Sequence, residues 1–396
     1  MAVFTFAVFF QPLAQTFGWS KSAIAFGATI ISIMIMLVTP LQGFLISRFS
    51  PRRMILSSIP CFAAGLASMY FLTPNIWHFY LAWIVIPILG IGVWPISYLK
   101  IIGEWFDRRL GFAYGVANSG IGVGAALLPW LVGYITAAYG WREAYLGLGV
   151  LALLVWPVAF FMVGERAATF PARARTDTAA DATLGDALRS RAFWIIIAAF
   201  ALLGVLSATV LVHQIKILID AGMSRQAATS FQSVLGIALI VARLGAGWML
   251  DRIKASYVMA TFALGGALAS ALYALGLGAQ LALPCTILFG LAIGAEFDVL
   301  SYIVPRYQGR RVFGQVYGIV FSTFQLASAI SVYVISVVRE QYGSYAPALW
   351  VVSAAMIVCA GLLLLLGPYR FAPSELGLAK GTLPAGTPGE RAADTA

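Results

Sequence analysis

The stretch GFLISRFSPRR, Gly43 to Arg53, closes one long apolar run and opens the next. A second version, GWMLDR, stands at Gly247 to Arg252, an offset of 204 residues. The same shift returns independently, because RRLGFAYG from Arg108 is echoed by RRVFGQVYG from Arg310, and Tyr114-Gly115 meets Tyr317-Gly318 at an offset of 203. Two matches at almost one offset predict a duplicated bundle. In both copies a glycine near the end of an apolar run lets another helix approach closely, and the arginine that follows suits a helix C-terminus, where carbonyl dipoles favour cations.

The surrounding chain is built for lipid. Of its 396 residues 61% are hydrophobic and 10% charged, where a soluble domain carries roughly a quarter of its residues charged. About twelve apolar runs recur, most of them near the ~20 residues that cross a hydrocarbon core ~30 Å thick; they include 1–16, 77–101, 192–215 and 281–305. The fold class expected is an all-α membrane protein of twelve transmembrane helices in two six-helix halves. The divisions are an N-terminal half over 1–163, a cytoplasmic linker over 164–191, a C-terminal half over 192–367 and a disordered cytoplasmic tail over 368–396. Within the linker, TLGDALRSRAFW reads as a helix that could lie along the membrane surface. The first run is short: about 16 residues at 1.5 Å each reach roughly 24 Å, so either a short first helix is tolerated or, the favoured reading, the native start lies upstream of Met1.

The net charge of +10 is dispersed between the apolar runs and does not form a nucleic-acid patch. With the second run read from outside to inside, 18 Lys/Arg fall on one side and 5 on the other, which places both termini in the cytoplasm of a plasma (inner) membrane protein. Cys61, Cys285 and Cys359 stand singly in apolar runs, with neither disulfide nor metal-ligand spacing. No phosphate-binding glycine loop and no nucleophile motif occurs, so neither an enzyme nor a cofactor is expected. A monomer is expected.

Against this background the buried charges draw notice. Arg243 lies near the middle of its run, where insertion of an arginine costs on the order of 3 kcal/mol, so it needs an acceptor. It either forks onto a substrate carboxylate or pairs with Glu296 or Asp298. Those two carboxylates lie in AIGAEFDVLSYIVPRY, Ala292 to Tyr307, about 200° apart around a helix. Asp298 shares its stripe with Gly294, Ser301 and Tyr302 and fits a cavity face, whereas Glu296 fits packing against protein. A carboxylate that meets Arg243 in only one state would change its proton affinity during a cycle, the requirement for proton coupling; a static pair that fixes helix packing is the other reading. His213 in LVHQIKIL could hydrogen-bond an anion or simply be a polar residue at the interface. Lys100 can snorkel to headgroups.

These stretches resemble the major facilitator superfamily along the whole chain. GFLISRFSPRR is similar to the family's loop between helices two and three, with Ser47 where an aspartate is usual, while Gly247 to Arg252 keeps it as Asp251. The resemblance implies a conformational latch formed by Gly43, Arg48, Gly247, Asp251 and Arg252. More narrowly, FFQPLAQTFGWSKSAI from Phe9, WFDRRLGFAYG from Trp105, VARLGAGWMLDR from Val241 and FGQVYGIVF from Phe313 resemble the monocarboxylate transporter and oxalate/formate antiporter branch. There an arginine matching Arg243, in the pattern Arg243, Gly247, Asp251, binds the organic anion. Phe324 stands where the dicarboxylate antiporter has a second cation, which implies one carboxylate per cargo. Tyr98, shortly before Trp105, and Gln325 are candidate hydrogen-bond donors to it. The glycine-rich GVANSGIGVGAALLP from Gly115 is explained by close helix packing alone.

The expected function is secondary transport of a small organic anion with protons, by alternating access across a lipid bilayer. An alternative within transport is an exporter of amphipathic compounds, suggested by abundant Phe and Trp; one from another class is a transporter-like membrane sensor that binds an anion without moving it.

Overall fold

The computed structural model describes residues 2–106, 109–164 and 183–371, and the side chains from Phe4 onward. Residues 165–182 of the expected linker, 372–396 of the expected tail and Arg108 lie outside the described residues.

Every described element is helical, and the local sequence sets the ends. In the first half of the chain these are α1 (Ala2–Thr5), α2 (Phe10–Phe17), α3 (Lys21–Arg48), α4 (Pro51–Ser68), α5 (Ile76–Leu89), α6 (Pro95–Trp105), α7 (Leu110–Tyr139) and α8 (Trp141–Met162). Then follow α9 (Leu184–Arg189), α10 (Arg191–Ala208), α11 (Gln214–Asp220), α12 (Arg225–Leu250) and α13 (Ala255–Ala274), and α14 (Ala282–Gly294), α15 (Glu296–Gln308), α16 (Phe313–Tyr342) and α17 (Ala346–Leu364). Serine caps open several of them: Ser20, Ser50, Ser190 and Ser224 each accept from a backbone N–H in the first turn. TLGDALR forms the expected short helix, α9, through a capping box between Thr183 and Asp186. Both Thr183 groups donate to the Asp186 carboxylate, and this holds it below the usual aspartate range.

Among the described residues ten stretches are long and apolar enough to cross a membrane. The two remaining expected spans are broken. Ala2–Phe17 is interrupted by a 3-10 turn at Phe6–Phe9. The run expected as one helix over 77–101 stops at Leu89 and restarts at Pro95, because Gly90 ends the first piece and Pro95 can begin a helix but not continue one. The exposed backbone of the break is satisfied from neighbours: Ser58 Oγ accepts from Gly92 N at 3.0 Å, and Gln42 Nε2 donates to the Trp94 carbonyl at 3.0 Å. The run expected over 281–305 likewise divides at Ala295, between α14 and α15. The seventh expected span continues to Asp220 through a π-helical turn at Thr209–His213.

The duplicated motifs are duplicated contacts. Gly43 of α3 lies against the Gly314 backbone of α16, and Gly247 of α12 lies against the Gly111 backbone of α7. A side chain at either glycine would collide with main chain, which is the reason small residues recur there. Further along the same pairs, Gly318 meets Pro40 and Gly115 meets the Arg243 carbonyl. These contacts sit toward the end of the bundle that carries Arg48, Arg52, Arg53, Arg252 and Arg310, called the basic end below. At the opposite end the cations have local partners: Arg339 pairs with Asp220 at 2.8 Å, and Arg142 donates to the Tyr70 and Leu72 carbonyls.

Candidate functional site

Between the seams a cavity of about 430 Å³ is lined by α1, α3, α4, α6, α7, α8, α12, α15 and α16. Its wall is mainly aromatic and aliphatic, with Phe62, Trp94, Phe297 and Phe321, and it carries five polar side chains: Tyr98, Asn118, Arg243, Tyr317 and Gln325. The breaks found above help to shape it, since Val93, Trp94 and Pro95 of the interrupted fourth span belong to the wall. Mostly apolar walls with few polar groups are the usual character of a small-molecule site.

Arg243 is half-buried, and its Nη1 is buried without a hydrogen-bond partner. Among the described residues no ion pair joins it to Asp298 or Glu296. Asp298 is fully buried and accepts from Asn118 Nδ2 at 2.5 Å through Oδ1, while its Oδ2 has no partner. Glu296 is buried too, but accepts from Ser207 Oγ of α10 at 2.8 Å, so the two carboxylates lean toward different helices, as the 200° separation requires. Neither carboxylate lines the cavity; Asp298 is reached through Asn118.

Of the residues singled out from the sequence, Arg243, Tyr98 and Gln325 meet around one space. His213 does not join them. It is buried beside the Tyr345 ring, 5.6 Å between centroids. Lys100 donates to the Ile46 carbonyl at 2.7 Å. Asn118 and Ser207 were not anticipated. Asn118 is the amide in the glycine-rich GVANSGIGVG, and an amide in an apolar run is the signal that could have marked it.

The latch residues lie at the basic end. Asp251 Oδ1 accepts from Gly111 N at 2.8 Å and Oδ2 from Phe112 N at 3.1 Å, so the C-terminal residue of one helix caps the start of another across the seam. At the equivalent place Ser47 accepts from Gln315 Nε2 at 3.3 Å. Arg48 and Arg252 stack on aromatic rings of their own helices, Phe44 at 4.4 Å and Trp248 at 4.0 Å. Among the described residues no cluster of His, Cys, Asp and Glu is arranged to hold a metal ion.

A family model described as Major Facilitator Superfamily matches residues 1–332. Among curated proteins, monocarboxylate transporter 12 of Xenopus laevis is 24% identical over 385 residues, covering 90% of this chain and 83% of its own length. Among solved structures, the proton:xylose symporter XylE bound to 6-bromo-6-deoxy-D-glucose superposes with a TM-score of 0.72 at 13% identity, over 95% of this chain and 94% of its own. A major facilitator transporter, FucP, in the outward conformation superposes with a TM-score of 0.68 at 16% identity, over 92% of this chain and 96% of its own.

Proposed function

Because the chain belongs to the major facilitator superfamily and is a multi-pass membrane transporter, we propose that its cargo is a small organic anion with one carboxylate, moved together with a proton by alternating access. The observation that carries this reading is the Arg243 Nη1, a donor without a partner at the wall of a mainly apolar cavity. A guanidinium presents its N–H groups as a planar fork that matches one carboxylate. The aromatic wall then takes the apolar body of the acid, with Tyr98 and Gln325 as further donors. The similarity to monocarboxylate transporter 12 supports the same cargo class.

Asp298 and Glu296 are the proton sites in this reading. Asp298 stands near Arg243 with one oxygen unpartnered, so occupation of the guanidinium by cargo changes the field in which it holds its proton. The chain works as a monomer with two six-helix halves. The basic end faces the cytoplasm of the plasma (inner) membrane, by the bias of Lys and Arg between spans. The latch of Gly43, Arg48, Gly247, Asp251 and Arg252 closes that end, and the cavity is then served from the other side.

Purified protein with Arg243→Gln is expected to lose the thermal shift given by pyruvate and L-lactate, and to lose their uptake in proteoliposomes while still inserting. Normal uptake by that variant would refute the binding role. A second reading, export of amphipathic compounds, is favoured by the aromatic wall. Stabilisation by hydrophobic cations and none by carboxylates would select it.

A further inference from the structure

The amide of Asn118 is the one polar side chain of the cavity wall that reaches across the bundle to a buried carboxyl group, from α7 to Asp298 of α15, 180 residues away in sequence. We propose that this bond is a proton-sensitive clamp, in which ionised Asp298 holds the basic end closed through Asn118 and its protonation releases α7 from α15. The inference rests on the reading of Asp298 as a proton site and adds the part that turns proton binding into movement.

The argument begins with what each partner can do. A primary amide donating to a carboxylate makes a charge-assisted hydrogen bond, about twice as strong as one to a neutral acceptor. Both partners are buried, Asn118 at 4% and Asp298 at 0% exposure, so water does not compete for the bond. Asp298 therefore grips Asn118 more strongly when ionised than when protonated. The bond also crosses the seam that has to part. It lies on the helix whose start is capped by Asp251 and whose Gly115 touches the Arg243 carbonyl, so the clamp and the closed seam share α7.

The neighbourhood allows Asp298 to take a proton. Arg243 is the cation facing it from α12, Tyr317 from α16 is the titratable neighbour across the interface, with Tyr114 of α7 beside Tyr317, and Glu296, Tyr302 and Arg306 lie on its own helix. The sequences of α13 and α14 hold no charged residue, and α10 holds only Arg191 at its first position. One cation thus balances Asp298, and its Nη1 is free to turn to a cargo carboxylate. When cargo occupies Arg243, two negative groups compete for one guanidinium, and a proton on Asp298 relieves the conflict. The same proton weakens the clamp. The proton frees the basic end to open, and cargo on Arg243 favours the uptake of that proton.

The test uses the full chain with its native cysteines replaced and spin labels at Phe49→Cys and Tyr257→Cys. These residues are exposed, sit at the basic end and belong to the first and last six spans. In proteoliposomes the label distance of the parent is expected to lengthen as the pH is lowered from 8 to 5.5. Asn118→Leu should lower the ratio of closed to open molecules about tenfold or more at pH 8, the loss of a hydrogen bond to a charged group, and should lose the pH response. Asp298→Asn keeps the shape and an acceptor while removing the charge, and should also give one pH-independent distribution. A pH response in either variant equal to the parent's overturns the clamp. Carboxylate binding is read separately, from the thermal shift with pyruvate. If binding persists while the distances ignore pH, the clamp fails and the anion reading stands. If the distances respond while no carboxylate binds, the clamp stands and the cargo must be another class.

Discussion

Substitution of Gly247 by alanine tests whether the seam between α7 and α12 holds the basic end closed. A methyl group on Gly247 would stand 2.5 Å from the Gly111 carbonyl oxygen and 3.0 Å from both the Gly111 carbonyl carbon and the Phe112 Cα. All three are backbone atoms, so no side chain can swing aside. Carbon contacts are optimal at about 3.5 Å, which means that the two helices must separate by roughly 0.5 to 1 Å. Overpacking of this kind costs about 1–3 kcal/mol. The strain exists only in the closed form, so it lowers the ratio of closed to open molecules by about 5–150-fold. The same displacement lengthens the two bonds that Asp251 accepts from Gly111 and Phe112, adding to the effect in the same direction. Distances between spin labels at positions 49 and 257 report the ratio. Gly120→Ala is the control, because it lies on α7 with nothing within 4 Å of an added methyl group, and alanine there favours the helix by roughly 0.5–1 kcal/mol. If Gly247→Ala leaves the distances unchanged, or if Gly120→Ala shifts them equally, the reasoning fails.

Ser47→Asp should restore a charged acceptor beside Gln315 and the start of α16, which begins without a side-chain cap; closure is then favoured, uptake slows about five- to tenfold, and the thermal shift with pyruvate is little changed. Equal uptake rates in variant and parent would count against a latch on that seam. At α9 the sign of the pH effect follows from the lowered proton affinity of Asp186. Its contribution is complete above the ordinary aspartate range, which the unfolded chain follows, and is lost as the pH falls through that range to the lower value of the folded form. Hydrogen exchange at the Asp186 and Ala187 amides, corrected for intrinsic rates, should therefore show protection at pH 6 that disappears toward pH 2, and Thr183→Val should remove it at both.

The apolar runs and the duplicated glycine motifs were legible because they depend on local hydropathy and on spacing. Gly43 and Gly247 announced close contacts, and both are found against backbone. The breaks were less visible. Leu89 to Pro95 and the junction at Ala295 lie within continuous apolar sequence, and the first is tolerated only because Ser58 and Gln42, from other spans, meet its free backbone groups. Arg243, Tyr98 and Gln325 could be named from residue type and resemblance, but the partners of Asp298 and Glu296 depend on how helices are rotated against each other. His213 shows the converse. An imidazole in an apolar run invites a role at a central site, yet the π-helical turn that ends at His213 leaves it buried beside Tyr345, away from Arg243.

The two seams are fastened by unlike chemistry. Between α3 and α16 the tie nearest the basic end is a neutral amide on a hydroxyl, whereas between α7 and α12 a carboxylate grips two main-chain amides. A hydrogen bond to a charged acceptor is worth more than one between neutral groups, so these two ties are of unequal strength. Serine at position 47, where the second copy of the motif has Asp251, is the residue that makes the duplicated seams chemically unlike at this point.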